Sequence, residues 1–343
     1  MRGNFPTSVC GQPRTNVVFL KTYKTASTTV ASILVRYGIN RNLSFVLPSG
    51  HVGDWFSRTH RFNSKMVKSM LPPLPGTGYS MLVSHVPFNK TAIAEVIPNA
   101  IYITILRHPV DAFESIFGFF RIPRYLNISA NTNQDPLEVF LSNPKKYIKR
   151  ASDPYHKTLL RNRQIFDVGL DRDYNDNDIA IDTVIERAAS EFDLVMIAEY
   201  FDESLVLLKK ILCWSFDDII YIKQNKRSDV LRFGLNDWKR QRILELNSAD
   251  YKLYQHFNRT LWIKIESCGD EFNNDLAIFR SMLQKMHSEC VDDDKHESDS
   301  NDRRAVTFLK DSAPSHCNVI KGNDDFTGII ARQNISFTSA KNQ

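Results

Sequence analysis

The chain repeats one pattern that few folds can accommodate: a short apolar run, then a polar loop, then an amphipathic helix. Residues 17–20 (VVFL) are the first apolar run, and apolar side chains then recur with helical spacing at positions 30, 33, 34 and 37, until Gly38. Residues 100–106 (AIYITIL) are a second, β-branched run, and helical spacing resumes after Pro109, which suits a first helical position. The pattern predicts strand, loop and helix in both places.

Three more apolar segments extend this alternation. Residues 80–86 and 194–198 are predicted as strands, the second leading into a helix at 202–212, and residues 218–223 are predicted as a fifth strand. Such an alternation predicts an α/β fold, a single domain with a central parallel sheet flanked by helices. Ligands of these sheets bind beyond the carboxyl ends of the strands, so functional residues are expected in the loops that follow them. The order of the strands does not follow from the pattern.

Charge and composition set the limits of this domain. The 343 residues carry 44 lysines and arginines against 39 aspartates and glutamates, and a net charge of +5 suits a local anion pocket but not a nucleic-acid coat. Residues 292–302 are almost entirely polar or charged, as in solvated segments. We therefore expect an irregular segment at 1–15, the folded domain at 16–291 and a polar, poorly ordered tail at 292–343.

Targeting signals and cysteine motifs are sparse. Residues 1–16 lack the apolar core of a signal peptide and no window of 18 apolar residues exists, so the chain as written is not expected to span a membrane or to enter the secretory pathway. The five cysteines include no CxxC pair, which argues against zinc-ribbon and thioredoxin folds. They allow one or two disulfides, whose pairing the spacing does not determine.

The loop after the first strand has the composition of an anion site. It runs KTYKTASTT over residues 21–29, with Lys21, Lys24 and five small residues where a helix begins. Backbone N–H groups at a helix start bind phosphate or sulfate, and a lysine can stabilise charge on a departing oxygen. Because residues 20–30 contain no glycine, the loop is not a Walker A P-loop. Taken alone, an ordinary capped helix start is the alternative.

A second anion site is predicted after the strand at 100–106. Arg107 follows that strand, and Ser115 lies eight residues further on, about one and a half turns into the helix. A guanidinium there can grip a phosphate with two hydrogen bonds, and the hydroxyl can add a donor. The alternative is that Arg107 pairs with Asp111 or Glu114. Two strand-end anion sites in one chain predict a nucleotide that carries phosphate groups at both ends.

Several segments of the chain occur together, and in this order, in one known family. They are FLKTYKTASTT at 19–29, ITILRHP at 103–109 with FES at 113–115, and EYFDESLVLLK at 199–209 followed by CW at 213–214. With these segments the chain resembles the galactose 3-O-sulfotransferase family of carbohydrate sulfotransferases, from about residue 16 to 290. The resemblance implies the P-loop-NTPase-like sulfotransferase fold, 3′-phosphoadenosine 5′-phosphosulfate (PAPS) as co-substrate, and no metal.

The resemblance also implies a reaction and a place. The sulfuryl group of PAPS would pass to the 3-hydroxyl of a terminal galactose, on a galactosylceramide-like glycolipid or a glycoprotein glycan, in the Golgi lumen. Membrane association follows from the family only, because the family is usually anchored by an N-terminal helix that this sequence does not show. No nucleic-acid partner is implied.

The resemblance assigns roles to the candidate residues. Lys24, Thr25, Ala26, Ser27, Thr28 and Thr29 would hold the 5′-phosphosulfate, Arg107 and Ser115 the 3′-phosphate, and Lys21, Lys226 and Arg227 are further candidate nucleotide contacts. His85, at the end of the predicted strand 80–86, matches a histidine of the family and is the candidate general base. Lys24 would stabilise the departing phosphate. A hydrogen-bonded structural histidine is the alternative for His85.

Departures from the family pattern bear on the acceptor. Pro87 stands where an arginine is usual, Tyr23 where histidine is common and His108 where aspartate is common. The loop at 24–28 is also similar to that of heparan 2-O-sulfotransferases, so a uronyl or heparan-type 2-O acceptor is one alternative. A non-catalytic nucleotide- or glycan-binding protein on the same fold is another.

The acidic stretch at 171–178 suggests a metal site but does not match one. It fails the EF-hand pattern, because Asp176 stands at the glycine position and Asp182 at the glutamate position. A manganese-dependent glycosyltransferase motif is the other metal interpretation. We expect a solvated acidic loop instead.

Overall fold

A five-stranded parallel sheet forms the centre of the molecule. The protein is described here from a computed structural model, which covers residues 10–48, 56–128, 134–223, 226–227, 232–295, 304–305, 307–322 and 333. The strands are β1 (Val17–Leu20), β2 (Ser44–Phe45), β3 (Tyr79–Ser84), β4 (Ile101–Leu106) and β5 (Leu194–Ile197), in the order β2-β3-β1-β4-β5. Every adjacent pair is parallel. The predicted α/β class is confirmed.

Helices connect and cover these strands. In the described residues they are α1 (Ser27–Asn40), α2 (Ser64–Val67), α3 (Lys90–Ala94), α4 (Pro109–Phe119), α5 (Ile122–Tyr125), α6 (Pro136–Ser142), α7 (Pro144–Arg150), α8 (Pro154–Leu159), α9 (Arg163–Val168), α10 (Asp178–Glu191), α11 (Phe201–Leu212), α12 (Phe216–Ile219), α13 (Asp237–Leu246), α14 (Ser248–Ser267), α15 (Asp270–Cys290) and α16 (Ser315–Lys321). Two short strands, β6 (Lys226–Arg227) and β7 (Arg304–Ala305), pair antiparallel. None of the helices within the described ranges is long and apolar enough to cross a membrane.

The strands are apolar along their whole length because the sheet is buried. All four residues of β1 are enclosed, and so are all four residues of β5. The predicted helix end at Gly38 is wrong, since α1 continues to Asn40. A Cβ at Gly38 would lie 2.4 Å from the Phe45 ring. Glycine at this position therefore serves the close approach of α1 to β2, not the termination of the helix.

The predicted strand at 218–223 is also wrong. The segment begins inside α12, which a reciprocal capping box starts: the Ser215 hydroxyl accepts from the Asp218 N–H at 3.3 Å, and the Asp218 carboxylate accepts from the Ser215 N–H at 2.9 Å. Ile219, Ile220 and Ile222 are buried without joining the sheet. The segment is apolar because its isoleucines are buried, partly in α12 and partly in the irregular segment that follows it.

Helix α4 follows β4 and belongs to a second apolar cluster. Pro109 occupies its first turn, as predicted, and Asp111 lies in the same turn. The cluster joins α4 to α6, α7, α8 and α13 through rings such as Phe113, Phe117 and Phe140. Because α4 is buried on several sides, the side chains that it carries at the carboxyl end of the sheet have fixed positions.

Described parts of the C-terminal tail contact the domain. Cys290, at the end of α15, forms a disulfide with Cys317 in α16. The buried Gln333 side chain accepts from the Phe45 N–H at 3.1 Å and donates to Phe45 O at 3.2 Å, which satisfies backbone groups of the edge strand β2. The sequence predicts a poorly ordered tail after residue 291 and does not indicate these contacts with the domain. The domain boundary itself stays a prediction.

Candidate active site

A pocket of about 690 Å³ opens at the carboxyl end of the sheet. It is lined by Lys21, Thr22, Tyr23, Lys24, Thr25, Ala26, Ser27, Thr28, Thr29, Arg58, His85, Arg107, Asp111, Glu114, Ser115, Phe119, Phe120, Tyr155, Arg232, Phe233, Leu235 and Arg240. The structure thus brings together every predicted site residue except Lys226 and Arg227. Those two form β6, and their side chains lie outside the described residues.

The loop between β1 and α1 is folded by its own hydroxyl groups. Thr22 Oγ1 donates to Ile105 O at 2.5 Å and lies 2.7 Å from Thr25 Oγ1. Ser27 Oγ donates to Thr22 O at 2.5 Å, so this hydroxyl supports the loop. Helix α1 begins at Ser27 without a side-chain cap from the described residues, and although the Thr29 N–H donates to Ala26 O at 3.1 Å, the N–H groups of Ser27 and Thr28 at the helix start suit an anion in the pocket.

Lys24 stands at the turn of this loop. Its φ is 59° and that of Ala26 is 65°, left-handed values that are costly for residues other than glycine and that cluster at ligand-binding loops. The Lys24 Nζ lies 3.8 Å from the centroid of the Phe119 ring, so a cation–π contact helps to hold the charge at the pocket wall. Lys21 is only 2% exposed, and its N–H donates to Ser84 O at 3.3 Å. The loop is therefore fixed to β3 at its start.

His85 directly follows β3 and faces the same loop. Its Nδ1 lies 2.8 Å from Lys21 O. A carbonyl only accepts, so Nδ1 carries the proton and Nε2 is the basic nitrogen of the neutral ring. The ring stacks on Tyr23 at a centroid distance of 4.2 Å and an interplanar angle of 22°. A histidine with a fixed tautomer in a cation-lined pocket can serve as a general base.

Arg107 connects the two predicted anion sites. Its Nη1 donates to Lys24 O at 3.2 Å. The proposed alternative partner Glu114 instead accepts from the Phe233 N–H at 2.7 Å. Ser115, from the same helix, is 2% exposed and lines the pocket. The arginine thus spans from the end of β4 to the turn of the β1–α1 loop.

The Gln164 side chain holds the backbone of Arg107 in place through two hydrogen bonds. Its N–H donates to Gln164 Oε1 at 2.8 Å, and the Gln164 amide donates to Arg107 O at 2.9 Å. The first turn of α9 is in turn capped by Asp250 of α14, which accepts from the Gln164 and Ile165 N–H groups at 3.2 and 2.7 Å. Burial raises the pKa of Asp250 to about 7, against the effect of these two donors. This network links α14 to the pocket wall.

Sequence reasoning missed part of the pocket wall. Arg232, Phe233 and Leu235 come from the segment before α13, Arg240 from α13 itself, and Arg58 from the segment before α2. None of these residues directly follows a strand of the central sheet, so the strand-end rule that found Arg107 could not find them. The only local signal in the sequence was that a phenylalanine, a leucine and several arginines lie close to one another.

Positive charge predominates in the pocket. Its wall carries the cations Lys21, Lys24, Arg58, Arg107, Arg232 and Arg240 against the two acids Asp111 and Glu114. The modest net charge of the chain, +5, is therefore concentrated where an anionic ligand would bind. Aromatic rings, Tyr23, Phe119, Phe120 and Tyr155, occupy the rest of the wall near His85.

Comparison with known proteins places the chain in a family. A model of the galactose-3-O-sulfotransferase family matches residues 2–334. The chain belongs to this family. The expected family and the expected enzyme class, a sulfotransferase, are thereby confirmed.

Curated relatives carry the same family name or a related one. Galactosylceramide sulfotransferase of Homo sapiens is 36% identical over 298 residues, which cover 85% of this chain and 67% of that protein. Galactose-3-O-sulfotransferase 2 of Sus scrofa is 33% identical over 88% of this chain and 76% of that protein. A solved sulfotransferase from Alicyclobacillus acidocaldarius aligns with 73% of this chain and 97% of its own, at 12% identity and a TM-score of 0.37, which is too distant to support an argument about the site.

Proposed function

We propose that the pocket binds PAPS and that the protein transfers its sulfuryl group to the 3-hydroxyl of a terminal galactose. The observation that carries this proposal is the meeting, in one pocket, of the uncapped start of α1, Lys24, Arg107, Ser115 and His85. These groups support two adjoining phosphate sites and a base in one pocket. Family membership supports the same reaction.

The residues present fit the nucleotide. The N–H groups at the start of α1, with Lys24 and the hydroxyls of Thr28 and Thr29, suit the 5′-phosphosulfate. Arg107 and Ser115 suit the 3′-phosphate, at the end of β4 and in α4. Arg232 and Arg240 add positive charge to the lining of the same pocket. The basic side chains of the pocket outnumber its two acidic side chains, which favours binding of an anionic co-substrate.

The mechanism is an in-line displacement. PAPS, when bound, supplies the sulfuryl group and the phosphate that leaves as 3′-phosphoadenosine 5′-phosphate. His85 Nε2 accepts the proton of the galactose hydroxyl as the oxygen–sulfur bond forms, because Nδ1 already carries a proton, which it donates to Lys21 O. Lys24 stabilises the charge on the phosphate oxygen as the old oxygen–sulfur bond breaks. No step requires a metal ion.

The acceptor is proposed from the names of relatives and from the aromatic wall. A galactosylceramide-like glycolipid or a galactose-terminated glycan fits a pocket in which Phe120 and Tyr155 can pack against a sugar ring. From the family resemblance we also propose that the reaction takes place in the Golgi lumen. A uronyl 2-O acceptor is the alternative within the class, and a non-catalytic binder is the alternative outside it.

A sulfate-transfer assay with radiolabelled PAPS across a galactoside panel, with excess chelator, tests the proposal. We expect label in a galactoside, with linkage analysis placing it on the 3-hydroxyl. Label on a uronic-acid acceptor alone would favour the 2-O alternative. Binding of 3′-phosphoadenosine 5′-phosphate without transfer to any acceptor would favour the binder. Activity that is lost with chelator would contradict the metal-free mechanism.

A further inference from the structure

The His85 ring is held by two different parts of the β1–α1 loop. The Nδ1–H donates to Lys21 O, with 2.8 Å between the nitrogen and the oxygen, and the ring face lies on Tyr23 at a centroid distance of 4.2 Å, nearly parallel. Tyr23 itself is 6% exposed, so it cannot move without disturbing its neighbours. The hydrogen bond fixes the rotation of the imidazole in its plane, and the stack fixes the plane.

A buried ion pair lies behind Tyr23. The Arg163 guanidinium is 4.1 Å from the Tyr23 ring centroid. A guanidinium and an imidazole cannot both lie about 4 Å from one centroid on the same side, which leaves opposite faces of the ring for the two groups. Arg163 donates to both carboxylate oxygens of Asp167, at 3.1 and 2.7 Å, and both side chains are 3% exposed. The support behind Tyr23 is thus rigid and neutral overall.

We propose that Tyr23 is a positioning residue for His85, and that the Arg163–Asp167 pair acts through Tyr23. The proposal rests on the proposed function, in which His85 is the base. The loop that carries Tyr23 also carries Lys24, so one short segment sets the position of the group that takes the proton relative to the group that stabilises the leaving phosphate. A ring on the face of His85 also favours the imidazolium formed during transfer.

Tyr23→Phe and Tyr23→Leu separate the ring from the rest of the side chain. Tyr23→Phe keeps the stack and should stay within about 3-fold of wild-type kcat. Tyr23→Leu should lose about 10- to 100-fold in kcat with the KM for PAPS almost unchanged, because misplacement of a catalytic group by about 1 Å costs this much. Tyr23→Met, which fills the space without a ring, serves if Tyr23→Leu does not fold.

The pH–rate profile provides a readout that loss of packing alone would not move. The charged groups on the elements around the stack are Lys21, Lys24, Arg58, Arg163 and Asp167, beside the titratable Tyr155, and all remain in these variants. Without the ring, the imidazolium loses its π contact while the cations persist. The acidic limb of kcat should therefore shift to lower pH in Tyr23→Leu and stay in place in Tyr23→Phe.

A matched control is a second tyrosine–histidine stack. Tyr125 stacks on His156 at 3.9 Å and 13°, and neither residue lines the pocket. Tyr125→Leu should cost stability but leave kcat and the acidic limb unchanged. Wild-type kcat and limb in Tyr23→Leu, or the same loss in Tyr125→Leu, would overturn the positioning role. Full activity in His85→Ala, or no transfer by the wild-type protein, would instead overturn the proposed function and this proposal with it.

Discussion

Single residues of the β1–α1 loop serve the site through backbone as much as through side chains. The Lys21 carbonyl accepts a hydrogen bond from His85, and the Thr22 hydroxyl donates to β4. The Ser27 hydroxyl donates to Thr22 O. The composition of the loop indicates an anion site. It does not indicate which hydroxyls face a ligand, because that depends on hydrogen bonds between Thr22 and a strand more than 80 residues away.

Arg107 is the residue whose loss should affect nucleotide binding most directly. Arg107→Ala should weaken the affinity for 3′-phosphoadenosine 5′-phosphate by about 10- to 100-fold, since hydrogen bonds to charged groups contribute about 1.5–3 kcal/mol. Calorimetric titration measures this. The control is Arg259→Ala on α14, an exposed arginine outside the pocket, which should bind normally. An Arg107→Ala protein with wild-type affinity would remove Arg107 from the 3′-phosphate site.

The residues of the candidate site that directly follow a strand of the central sheet could be predicted from the sequence. His85 and Arg107 follow β3 and β4, and the sequence alone places both at the carboxyl end of the sheet. Arg232 and Arg240 were missed because the segment that carries them is held by a distant contact, from Glu114 to the Phe233 N–H. No local pattern in the sequence encodes that contact.

At the scale of elements, the main strands and helices followed from hydrophobic periodicity, and the errors have local causes. Two-residue β2 is too short to show a period, and it lies on the sheet edge, where Gln333 satisfies its backbone. The false strand at 218–223 is apolar because it is buried, while the capping box of Ser215 and Asp218 starts a helix there. Capping residues would have corrected it.

The link from α14 to α9 gives an element-scale prediction. Burial raises the pKa of Asp250 to about 7, above its usual value of about 4, so the folded state binds this proton more readily than the unfolded chain. The contribution of Asp250 to stability is therefore complete below about pH 4 and is lost as the pH rises through about 7. Asp250→Asn should have a clearly lower free energy of unfolding than wild type at low pH. The difference between the two proteins should be smaller at pH 8.

Chemical denaturation of both proteins between pH 4 and pH 8 measures this difference. The control is Asp178→Asn, at a carboxyl that is 80% exposed and pairs with Lys252, where replacement should cost little stability. A gap between wild type and Asp250→Asn that widens as the pH rises would contradict the assigned direction.

At the scale of the whole molecule, the Cys290–Cys317 disulfide joins the end of α15 to α16, which packs on α1. It closes a loop over 27 positions, for which chain entropy gives a stabilisation of about 3.5 kcal/mol. Cys317→Ser should lower the melting temperature while binding of 3′-phosphoadenosine 5′-phosphate at 25 °C stays within about 2-fold. Cys268→Ser, at a free cysteine, is the control. Equal melting temperatures for Cys317→Ser and wild type would contradict this prediction.

The central claim is that His85 takes the acceptor proton in a pocket that binds PAPS independently of it. The most direct measurement is single-turnover sulfate transfer from PAPS to a galactoside by wild type and His85→Ala, with nucleotide affinity measured on the same samples. The predicted result is a loss of about 10²- to 10⁴-fold in the rate of transfer with unchanged affinity. Transfer by His85→Ala at the wild-type rate, or a loss explained entirely by weaker nucleotide binding, would contradict it.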